Sequence, residues 1–437
     1  MIRTTTLPNG ARIVTEVVDS VYSAAIDLWI EVGSAYETPA NSGVSHCIEH
    51  MLFKGTKSRS AELLMEEIED VGGMLGASTS RELTKLYGHV LGEALPVAVD
   101  IMLDMVKNPL FRNEDLTLER KVIIDEIEMY DDDPADFAQE LVYKNIWPGS
   151  PQGQSITGDA KNVKNISVSM MKEHFKRFFR PERIIVSVAG AFDEEKTIAA
   201  LTAGLSDLER LDDNENYLRT SAPATASFNV FESWDTDMSQ LILTVPGLDV
   251  LDKRQMALNI LDLCLASSAS SRLFKEVREK RGLVYNIGSM QHSYRNCGIY
   301  GIECIVSPSN ANEVMQLVQK EFENIKESGL TDKEIARAKS QLRTDLLMDK
   351  ETMSARSTGN AGDLLFFDRI IPIEERQAQI EAVTNEEIME VARAVFAAAP
   401  SVVLVGPESK PKRTVRAGES KAGDSKAHAK HKGRVRK

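Results

Sequence analysis

The stretch Asn41-Ser-Gly-Val-Ser-His-Cys-Ile-Glu-His-Met-Leu-Phe-Lys-Gly-Thr56 contains two histidines and one glutamate in close succession, His46, Glu49 and His50. At about 100° per residue, the two histidines lie about 40° apart around a helix axis, and the glutamate falls beside them. Neutral imidazoles suit Zn²⁺, and a carboxylate that is not a ligand can take a proton from water at the metal. The spacing therefore predicts a zinc site and a general base on one helical face.

The alternative interpretation is a helix that carries two solvated histidines and no metal. The chain has only 7 histidines, and at this usage the pattern arises by chance in roughly one such chain in a hundred. The pattern therefore favours the metal site. Since a catalytic zinc takes three protein ligands and keeps one open position, a third ligand must come from elsewhere in the chain.

The third ligand is expected in residues 113–130, Asn-Glu-Asp-Leu-Thr-Leu-Glu-Arg-Lys-Val-Ile-Ile-Asp-Glu-Ile-Glu-Met-Tyr. This segment predicts a helix because Asn113 can cap its start, acidic residues follow, and apolar residues recur at helical spacing. One acidic residue can bind the metal while another, two turns away, orients a ligand or the water. A solvated acidic face is the alternative. Spacing alone does not choose among four acidic residues: Glu119, Asp125, Glu126 and Glu128.

At these residues the chain resembles the insulinase/pitrilysin family of inverted zincins, in its processing-peptidase-like branch. That family follows H-x-x-E-H with a ligand Glu about 76 residues past the second His, and another Glu stands two turns before that ligand. Here Glu126 follows His50 by 76 residues, and Glu119 precedes Glu126 by seven. The resemblance implies one Zn²⁺ per chain on His46, His50 and Glu126. Glu119 would tune the site, and Glu49 would be the general base.

A second motif of the same family lies in Ser270-Ser-Arg-Leu-Phe-Lys-Glu-Val-Arg-Glu-Lys-Arg-Gly-Leu-Val-Tyr285. The family's substrate clamp is an Arg and a Tyr separated by six residues, which Arg278 and Tyr285 match. A guanidinium and a phenol can hydrogen-bond a peptide carbonyl and the oxyanion that forms on it. Without the resemblance, Arg278 is interpreted as part of a charged helix face.

The resemblance also implies where the peptide binds. Family members add their substrate as a strand along one segment, and main-chain hydrogen bonds then tolerate many sequences. Many relatives have Asn where this chain has Gly76, and an ordinary edge strand is the alternative. In the family, an aromatic residue contacts the substrate residue that follows the cut. Phe53 matches that position, and core packing is the alternative role for it. The segment that corresponds to the peptide-binding strand is Gly76, Ala77, Ser78 and Thr79.

Processing peptidases have an acidic pair that binds an Arg upstream of the cut. Asp136 and Glu140 stand at the matching distances, ten and fourteen residues past Glu126. Two carboxylates can bind a guanidinium through paired hydrogen bonds. Pro134 can begin a new helix, which would change the direction of both side chains.

Two domains are expected from 437 residues with 42% hydrophobic content, since this length exceeds the usual size of one domain. A run of small residues, Ser221-Ala-Pro-Ala-Thr-Ala-Ser227, indicates a linker near the middle of the chain. The predicted organisation is a zinc-binding domain at 1–215, a linker at 216–227, a homologous clamp domain at 228–407 and a basic, disordered tail at 408–437.

A faint internal repeat predicts that the two halves have the same fold. A helical pattern that begins at residue 163 is followed by a strand at 184–188, and a pattern that begins at residue 383 is followed by a strand at 402–405. Ile26, Leu28, Ile30 and Val32 alternate with Asp27, Trp29 and Glu31, which predicts a half-buried strand. The expected class is α+β, with two tandem α/β sandwiches, each an antiparallel-rich sheet with helices on one side.

Net charge and targeting signals indicate the binding partners and the cellular location to expect. From Lys410 to Lys437 there are eleven Lys and Arg against two acidic residues, so the tail carries +9 and residues 1–409 carry −23. An acidic body favours cationic peptides, whereas the tail is expected to be solvated and nucleic-acid binding is not expected. The N-terminus has no apolar signal region, no stretch approaches eighteen apolar residues, and the four cysteines have no metal or redox spacing. These features predict a cytoplasmic protein without a membrane anchor.

The predicted function is that of a zinc metalloendopeptidase that hydrolyses unfolded peptides or presequence-like segments. Larger members of the family place four such halves around a closed chamber, so the resemblance implies a dimer of two-half chains. Both motifs occur in this chain, and a homodimer would therefore suffice, although a heterodimer with a related chain is an alternative. Two competing functions are a non-catalytic scaffold or binding subunit of the same fold and a presequence-processing enzyme of narrow specificity.

Overall fold

The computed structural model describes residues 2–211 and 222–407. Its strands are β1 (Ile2–Thr6), β2 (Arg12–Val17), β3 (Ser23–Ile30), β4 (Met74–Thr79), β5 (Thr84–Leu91), β6 (Ile184–Gly190), β7 (Asn229–Ser233), β8 (Ser239–Gly247), β9 (Val284–Ser293), β10 (Gly298–Val306) and β11 (Ser401–Gly406). Two sheets are formed, one by the strands before residue 191 and one by the strands after residue 228.

Helices occupy most of the remaining described chain. They are α1 (Val44–Leu52), α2 (Ala61–Asp70), α3 (Leu95–Lys107), α4 (Asn113–Asp132), α5 (Pro134–Ile146), α6 (Ala160–Asn165), α7 (Val168–Phe178), α8 (Glu194–Leu205), α9 (Gln255–Leu265), α10 (Ala311–Ser328), α11 (Asp332–Met348), α12 (Met353–Phe367), α13 (Ile373–Ala382) and α14 (Asn385–Val395). Short 3₁₀ turns lie at Ser34–Tyr36, Gly92–Ala94, Pro151–Gly153, Pro181–Arg183 and Asp349–Glu351, and a π-helical segment at Phe274–Glu279.

The two sheets share one strand order. The first runs β1-β2-β6-β3-β5-β4, and the second runs β7-β11-β8-β10-β9. Neighbouring strands are antiparallel except for β2 with β6 and β7 with β11, which occupy equivalent places and are both parallel. The second sheet therefore repeats the first without β1. The predicted fold class, two tandem antiparallel-rich α+β halves, is confirmed.

Strand β3 is buried on both faces, so the half-buried strand predicted from its alternation is wrong. Ile26 and Leu28 pack into the core beneath the helices of their own half. On the opposite face, Trp29 packs against α12, which belongs to the second half of the chain. Asp27 is only 3% exposed because Lys85 and Thr358 bind its carboxylate at 3.0 and 3.1 Å. The polar positions of the strand thus face a helix and not water.

Each half packs one of its helices on the sheet of the other half. The prediction that each sheet has helices on one side only is therefore wrong. Helix α12 lies on the first sheet, where Ser187 and Ser357 each donate a hydrogen bond to the other's carbonyl, at 2.8 and 3.0 Å. Helix α5 lies on the outer face of the second sheet, where Val142 and Trp147 pack with Ile242. Each sheet is therefore covered by its own helices on one face and by a helix of the other half on the other face.

Of the residues predicted to mark the starts of α4 and α5, only the one at α5 has the predicted role. Asn113 is the first residue inside α4 and makes no capping hydrogen bond with its side chain, so the predicted cap is wrong. Helix α5 begins at Pro134 as expected, and the side chain of Asp133 caps it by accepting from Ala135 N at 2.8 Å. The fresh helix turns the chain after α4 and directs α5 toward the second half.

Other predictions meet the structure only in part. Within the described ranges, no helix is long and apolar enough to cross a bilayer. The four cysteines are buried and unpaired. The basic tail at 408–437 and half of the linker, residues 216–221, lie outside the described residues, and the domain boundaries remain a prediction.

A largely buried ion pair in the second half gives a stability prediction. Arg272 donates two hydrogen bonds of 2.8 Å to Glu334, which lower the pKa of that carboxyl to about 2, although burial acts in the opposite direction. The folded-state pKa thus lies below the ordinary value of 4.5, so the pair stabilises the fold above pH 4.5 and stops doing so as the pH falls toward 2. We expect Glu334→Gln to lower the free energy of unfolding at pH 7 by about 1.5–3 kcal/mol.

Urea titrations between pH 7 and pH 3 measure this effect, and the difference from wild type should shrink across the acid range. The matched control is Glu375→Gln, which removes an exposed Arg369 pair with hydrogen bonds of 2.8 and 2.5 Å. The control is expected to keep the wild-type midpoint because exposed pairs contribute little. Equal losses in both variants would contradict the prediction.

Candidate metal centre

Helix α1 presents two imidazoles toward one carboxylate of α4. His46 Nε2 lies 3.7 Å and His50 Nε2 lies 3.5 Å from the same oxygen, Glu126 Oε2. The two rings meet edge to face with centroids 4.7 Å apart. One ligand atom from each of the three residues lies within 4.8 Å of the others, and within the described chain this is the group that could hold an ion.

The donor set fits a zinc ion. Tetrahedral Zn²⁺ with bonds of about 2.1 Å places neighbouring ligand atoms about 3.4 Å apart, close to the separations observed here. Burial lowers the pKa of His46 to about 4, and the neighbouring His50 also lowers it. The imidazole is therefore neutral at neutral pH, which is the form that binds a metal. Two neutral imidazoles and one carboxylate are also the ligand types that catalytic zinc uses.

Glu119 orients one of the imidazoles from the side away from Glu126. Its buried carboxylate accepts from His50 Nδ1 at 2.9 Å and from Lys54 Nζ at 2.6 Å. Burial alone would raise the pKa of Glu119, but the hydrogen bonds from Lys54 and His50 lower it below its ordinary value. The carboxylate therefore stays ionised and fixes the tautomer in which His50 Nε2 is free to bind the metal.

Glu49 lies beside these three residues and is not part of the group that could hold an ion. Thr79, the last residue of β4, donates a hydrogen bond of 2.6 Å to Glu49 Oε2. Burial raises the pKa of Glu49, while this hydrogen bond acts in the opposite direction. A carboxylate that lies beside these residues and is held by Thr79 is suited to accept and return a proton.

A cleft of about 810 Å³ opens onto the ligands and is lined by both halves of the chain. His46, Glu49 and Glu126 lie on the first-half side, and His292 and Tyr294 line it from the second half. Carboxylates outnumber cations on its walls. The acidic residues are Glu49, Glu126, Asp131, Asp136, Glu140 and Asp159, and the basic residues are Arg81 and Lys144.

Strand β4 is the edge of the first sheet and borders the cleft. Among the described strands it pairs only with β5, and Ala77, Ser78 and Thr79 line the cleft. Gly76 precedes them, and a Cβ at this position would meet the ring of Tyr87 at 2.6 Å. The tyrosine thus occupies the space where a larger side chain at position 76 would project. An unpaired edge beside the ligands offers main-chain groups to an extended chain.

The predicted specificity residues are in different environments. Phe53 ends α1 and packs against the first-half core, and it is not among the residues that line the cleft. Asp136 and Glu140 both line the cleft from α5. Arg81 Nη2 lies 3.5 Å from Glu140, and its guanidinium stacks 3.3 Å from the ring centroid of Tyr143. Burial raises the pKa of Glu140, and Arg81 lowers it.

Arg278 and Tyr285 lie together but away from this cleft. The guanidinium of Arg278 is 5.8 Å from the ring centroid of Tyr285 and 4.5 Å from that of Phe274. Tyr285 is 84% exposed near the start of β9, the edge strand of the second sheet. Neither clamp residue is among the described residues that line the cleft, whereas His292 lies in it at the other end of β9. Seven residues of strand correspond to about 23 Å.

Three contacts at the centre were not predicted from the sequence. Lys54, the second partner of Glu119, lies four residues after His50 and could have been found by helical spacing. The bond from Thr79 to Glu49 joins residues thirty positions apart and had no local signal. Glu37, which binds the start of α1, had no signal either, because its partners are backbone groups.

Most of the chain is similar to known families and proteins. Residues 12–160 match the sequence model of the family described as Insulinase (Peptidase family M16), and residues 165–342 match that of the Peptidase M16 inactive domain. A Streptomyces coelicolor protein named as an uncharacterized zinc protease is 34% identical over 413 residues, which cover 93% of this chain and 90% of that protein. A Bacillus subtilis protein named in the same way is 31% identical over 418 residues, covering 93% and 98%.

Solved structures agree on the fold. A protease from Helicobacter pylori has a TM-score of 0.87 at 20% identity, covering 93% of this chain and 99% of that one. A structure described as the peptidase M16 inactive domain from Pseudomonas fluorescens has a TM-score of 0.85 at 20% identity, covering 93% and 98%. As its motifs indicated, the chain belongs to the insulinase family of peptidases, family M16.

Proposed function

We propose that this chain is a zinc metalloendopeptidase that hydrolyses extended, basic peptides and works as a homodimer. The observation that carries the proposal is the juxtaposition of two imidazoles and one carboxylate that could hold an ion with a separate carboxylate, Glu49, beside one cleft. His46, His50 and Glu126 would hold one zinc ion per chain. The names of the relatives, zinc proteases, support the same metal.

The chain's own residues supply proton transfer and positioning. When bound, zinc supplies a Lewis acid that polarises a carbonyl and lowers the pKa of water. Glu49 takes a proton from the attacking water and passes it to the leaving amine nitrogen, while Thr79 holds the Glu49 carboxylate in place. Glu119 keeps His50 in one tautomer throughout.

The cleft supports an extended and cationic substrate. The free edge of β4 offers main-chain hydrogen bonds to a strand of any sequence beside Glu49. The excess of carboxylates on the walls favours Lys and Arg side chains of the peptide. Asp136 is the more accessible member of the acidic pair, because Arg81 already lies against Glu140. A chain must be unfolded to follow the edge strand into the cleft, which favours flexible peptides and presequence-like segments.

The separation of the two motifs supports the homodimer. Arg278 and Tyr285 lie outside the cleft of their own chain, yet the exposed phenol of Tyr285 and the half-buried guanidinium of Arg278 are adjacent and can be reached by another molecule. Arg278 also lies in the π-helical segment Phe274–Glu279, and such segments are enriched at functional sites. In a symmetric pair, each chain would offer its clamp to the other chain's metal centre, where it stabilises the oxyanion.

A peptide-library experiment tests the peptidase. The full chain is loaded with Zn²⁺, incubated with quenched peptides that vary in Arg and hydrophobic content, and the cuts are mapped by mass spectrometry. We expect cleavage that a chelator abolishes and zinc restores, with basic residues enriched upstream of the cut. Failure of the zinc-loaded dimer to cut any peptide would contradict the proposal and favour a non-catalytic role for the fold.

Glu119 gives a further prediction, since it acts on the metal through His50. Glu119→Gln retains the shape but loses the charged acceptor, so we expect about 10–100-fold weaker zinc binding. Competition with a chromophoric chelator measures the affinity. The matched control is Glu128→Gln, the same change at an exposed position on the same helix, which is expected to bind zinc like wild type. Equal zinc affinities for all three proteins would remove Glu119 from the metal site.

A further inference from the structure

The start of α1 is held by a buried carboxylate that lies outside the helix. Glu37 is only 4% exposed, and its two oxygens accept hydrogen bonds from the backbone N–H groups of Gly43, at 2.6 Å, and Ser45, at 2.7 Å. The first N–H groups of a helix have no partners within the helix. Glu37 thus satisfies donors that the helix itself cannot satisfy.

The N-cap side chain that usually accepts hydrogen bonds from the first N–H groups of a helix is absent from α1. The N-cap residue is Gly43, which has no side chain to cap with and adopts a φ of +90°. A Cβ at this position would meet the carbonyl oxygen of Thr157 at 2.6 Å, so a capping Ser or Asp does not fit. The cap must therefore come from a residue elsewhere, and Glu37 provides it.

The turn that Glu37 holds is the turn that carries the first metal ligand. Ser45 directly precedes His46, and its hydroxyl lies 3.0 Å from Nε2 of the buried His174 on α7. The first turn of α1 is thus fixed through its backbone by Glu37 and through a side chain by His174. Both contacts lie on residues adjacent to the ligand and do not involve the ligand itself.

The two ligand histidines differ in how they are oriented. His50 is held by a hydrogen bond from its Nδ1 to Glu119 at 2.9 Å. His46 is 7% exposed, and its Nδ1 has no hydrogen-bond partner in the part of the chain that the structure describes. A metal-binding imidazole is usually oriented through its second nitrogen. The position of His46 must therefore depend on its backbone and on packing.

We propose that Glu37 is a positioning residue for the metal centre, which sets the place of His46 by fixing the first turn of α1, as Glu119 orients His50. This inference rests on the proposed zinc site. Loss of the Glu37 contacts should move His46 relative to His50 and Glu126 and so weaken zinc binding. A residue with a purely structural role would lower stability and leave zinc affinity unchanged.

The test compares Glu37→Gln with a matched cap variant. Burial raises the pKa of Glu37 to about 8, while its backbone hydrogen bonds lower it; either protonation state has two oxygen acceptors, whereas Gln offers one. Asp193→Ala is the control, because Asp193 caps α8 by accepting from Lys196 N at 3.1 Å, and α8 contributes no residue to the metal centre. Zinc affinity by chelator competition and the unfolding temperature are measured on each full-length protein.

We expect Glu37→Gln to bind zinc about tenfold more weakly than wild type and Asp193→Ala to bind within about twofold of it, although both lower the unfolding temperature. Amide hydrogen exchange of the metal-free protein should become faster at residues 43–46 in Glu37→Gln only. Wild-type zinc affinity in Glu37→Gln would overturn the proposal, and so would an equal loss of affinity in the control.

A second variant covers the case in which Glu37→Gln does not fold. His174→Gln removes the other contact to the same turn, and we expect it to weaken zinc binding severalfold; wild-type affinity in that variant would overturn the proposal. If wild type itself bound no zinc, the proposed function would fail, and hydrogen exchange at residues 43–46 would still report whether Glu37 holds the turn.

Discussion

Glu49→Gln is expected to abolish peptide hydrolysis while zinc binding stays at the wild-type level. The amide retains the size of the side chain and can still accept from Thr79, but it cannot take a proton from water. Positioned general bases contribute about 10²–10⁴-fold to rate, so kcat should fall by about that factor. The measurement is the initial rate of cleavage of one peptide from the library, together with zinc affinity by chelator competition.

The cleavage rate and the zinc affinity together distinguish a general base from a metal ligand. Glu126→Gln removes a ligand carboxylate and should lose both activity and zinc, whereas Glu49→Gln should lose activity alone. Glu128→Gln, an exposed change on α4, controls for the substitution itself. Activity within about tenfold of wild type in zinc-loaded Glu49→Gln would show that another group accepts the proton.

Mixing two inactive variants is expected to restore activity if the clamp acts between chains. Arg278→Gln should lose about 10²–10³-fold in kcat, because a donor to the oxyanion is removed. When it is refolded together with Glu49→Gln, random pairing gives about half mixed dimers, each with one complete site, and so about a quarter of wild-type activity. The intact site combines Glu49 of one chain with Arg278 of the other.

The control for this experiment is a pair of variants whose substitutions both lie in the zinc-binding half of the chain. Glu49→Gln mixed with Glu126→Gln places both defects in the same half, so no pairing restores a complete site and no activity should return. Arg281→Gln tests the neighbouring charge, since Arg281 pairs with Glu276 and Glu313 on the surface and is expected to be fully active alone. If Arg278→Gln and Glu49→Gln failed to complement in proven dimers, the clamp would have to act within its own chain or not at all.

Much of the fold could be predicted because its signals are local and occur twice. The strands at 184–188 and 402–405 follow helical patterns at matching places, and both became inner strands parallel to one neighbour in their sheets. The outer faces of the sheets could not be predicted. The alternation in β3 is the usual sign of a water-facing side, and only the packing of α12 on that side shows why Asp27 and Trp29 are buried.

For the metal centre, too, some features could be predicted from the sequence and others only from the tertiary structure. The sequence by itself determined the pairing of His46 with His50 and the place of Glu49, because helical geometry fixes neighbours within one turn. Family spacing selected Glu126, which the structure brings to within 3.7 Å of both imidazoles. Tertiary structure alone decided that Thr79 binds Glu49, that Glu37 caps α1 and that the clamp lies outside its own cleft. Those contacts join distant segments through sheet pairing and helix packing, for which a periodic sequence pattern carries no signal.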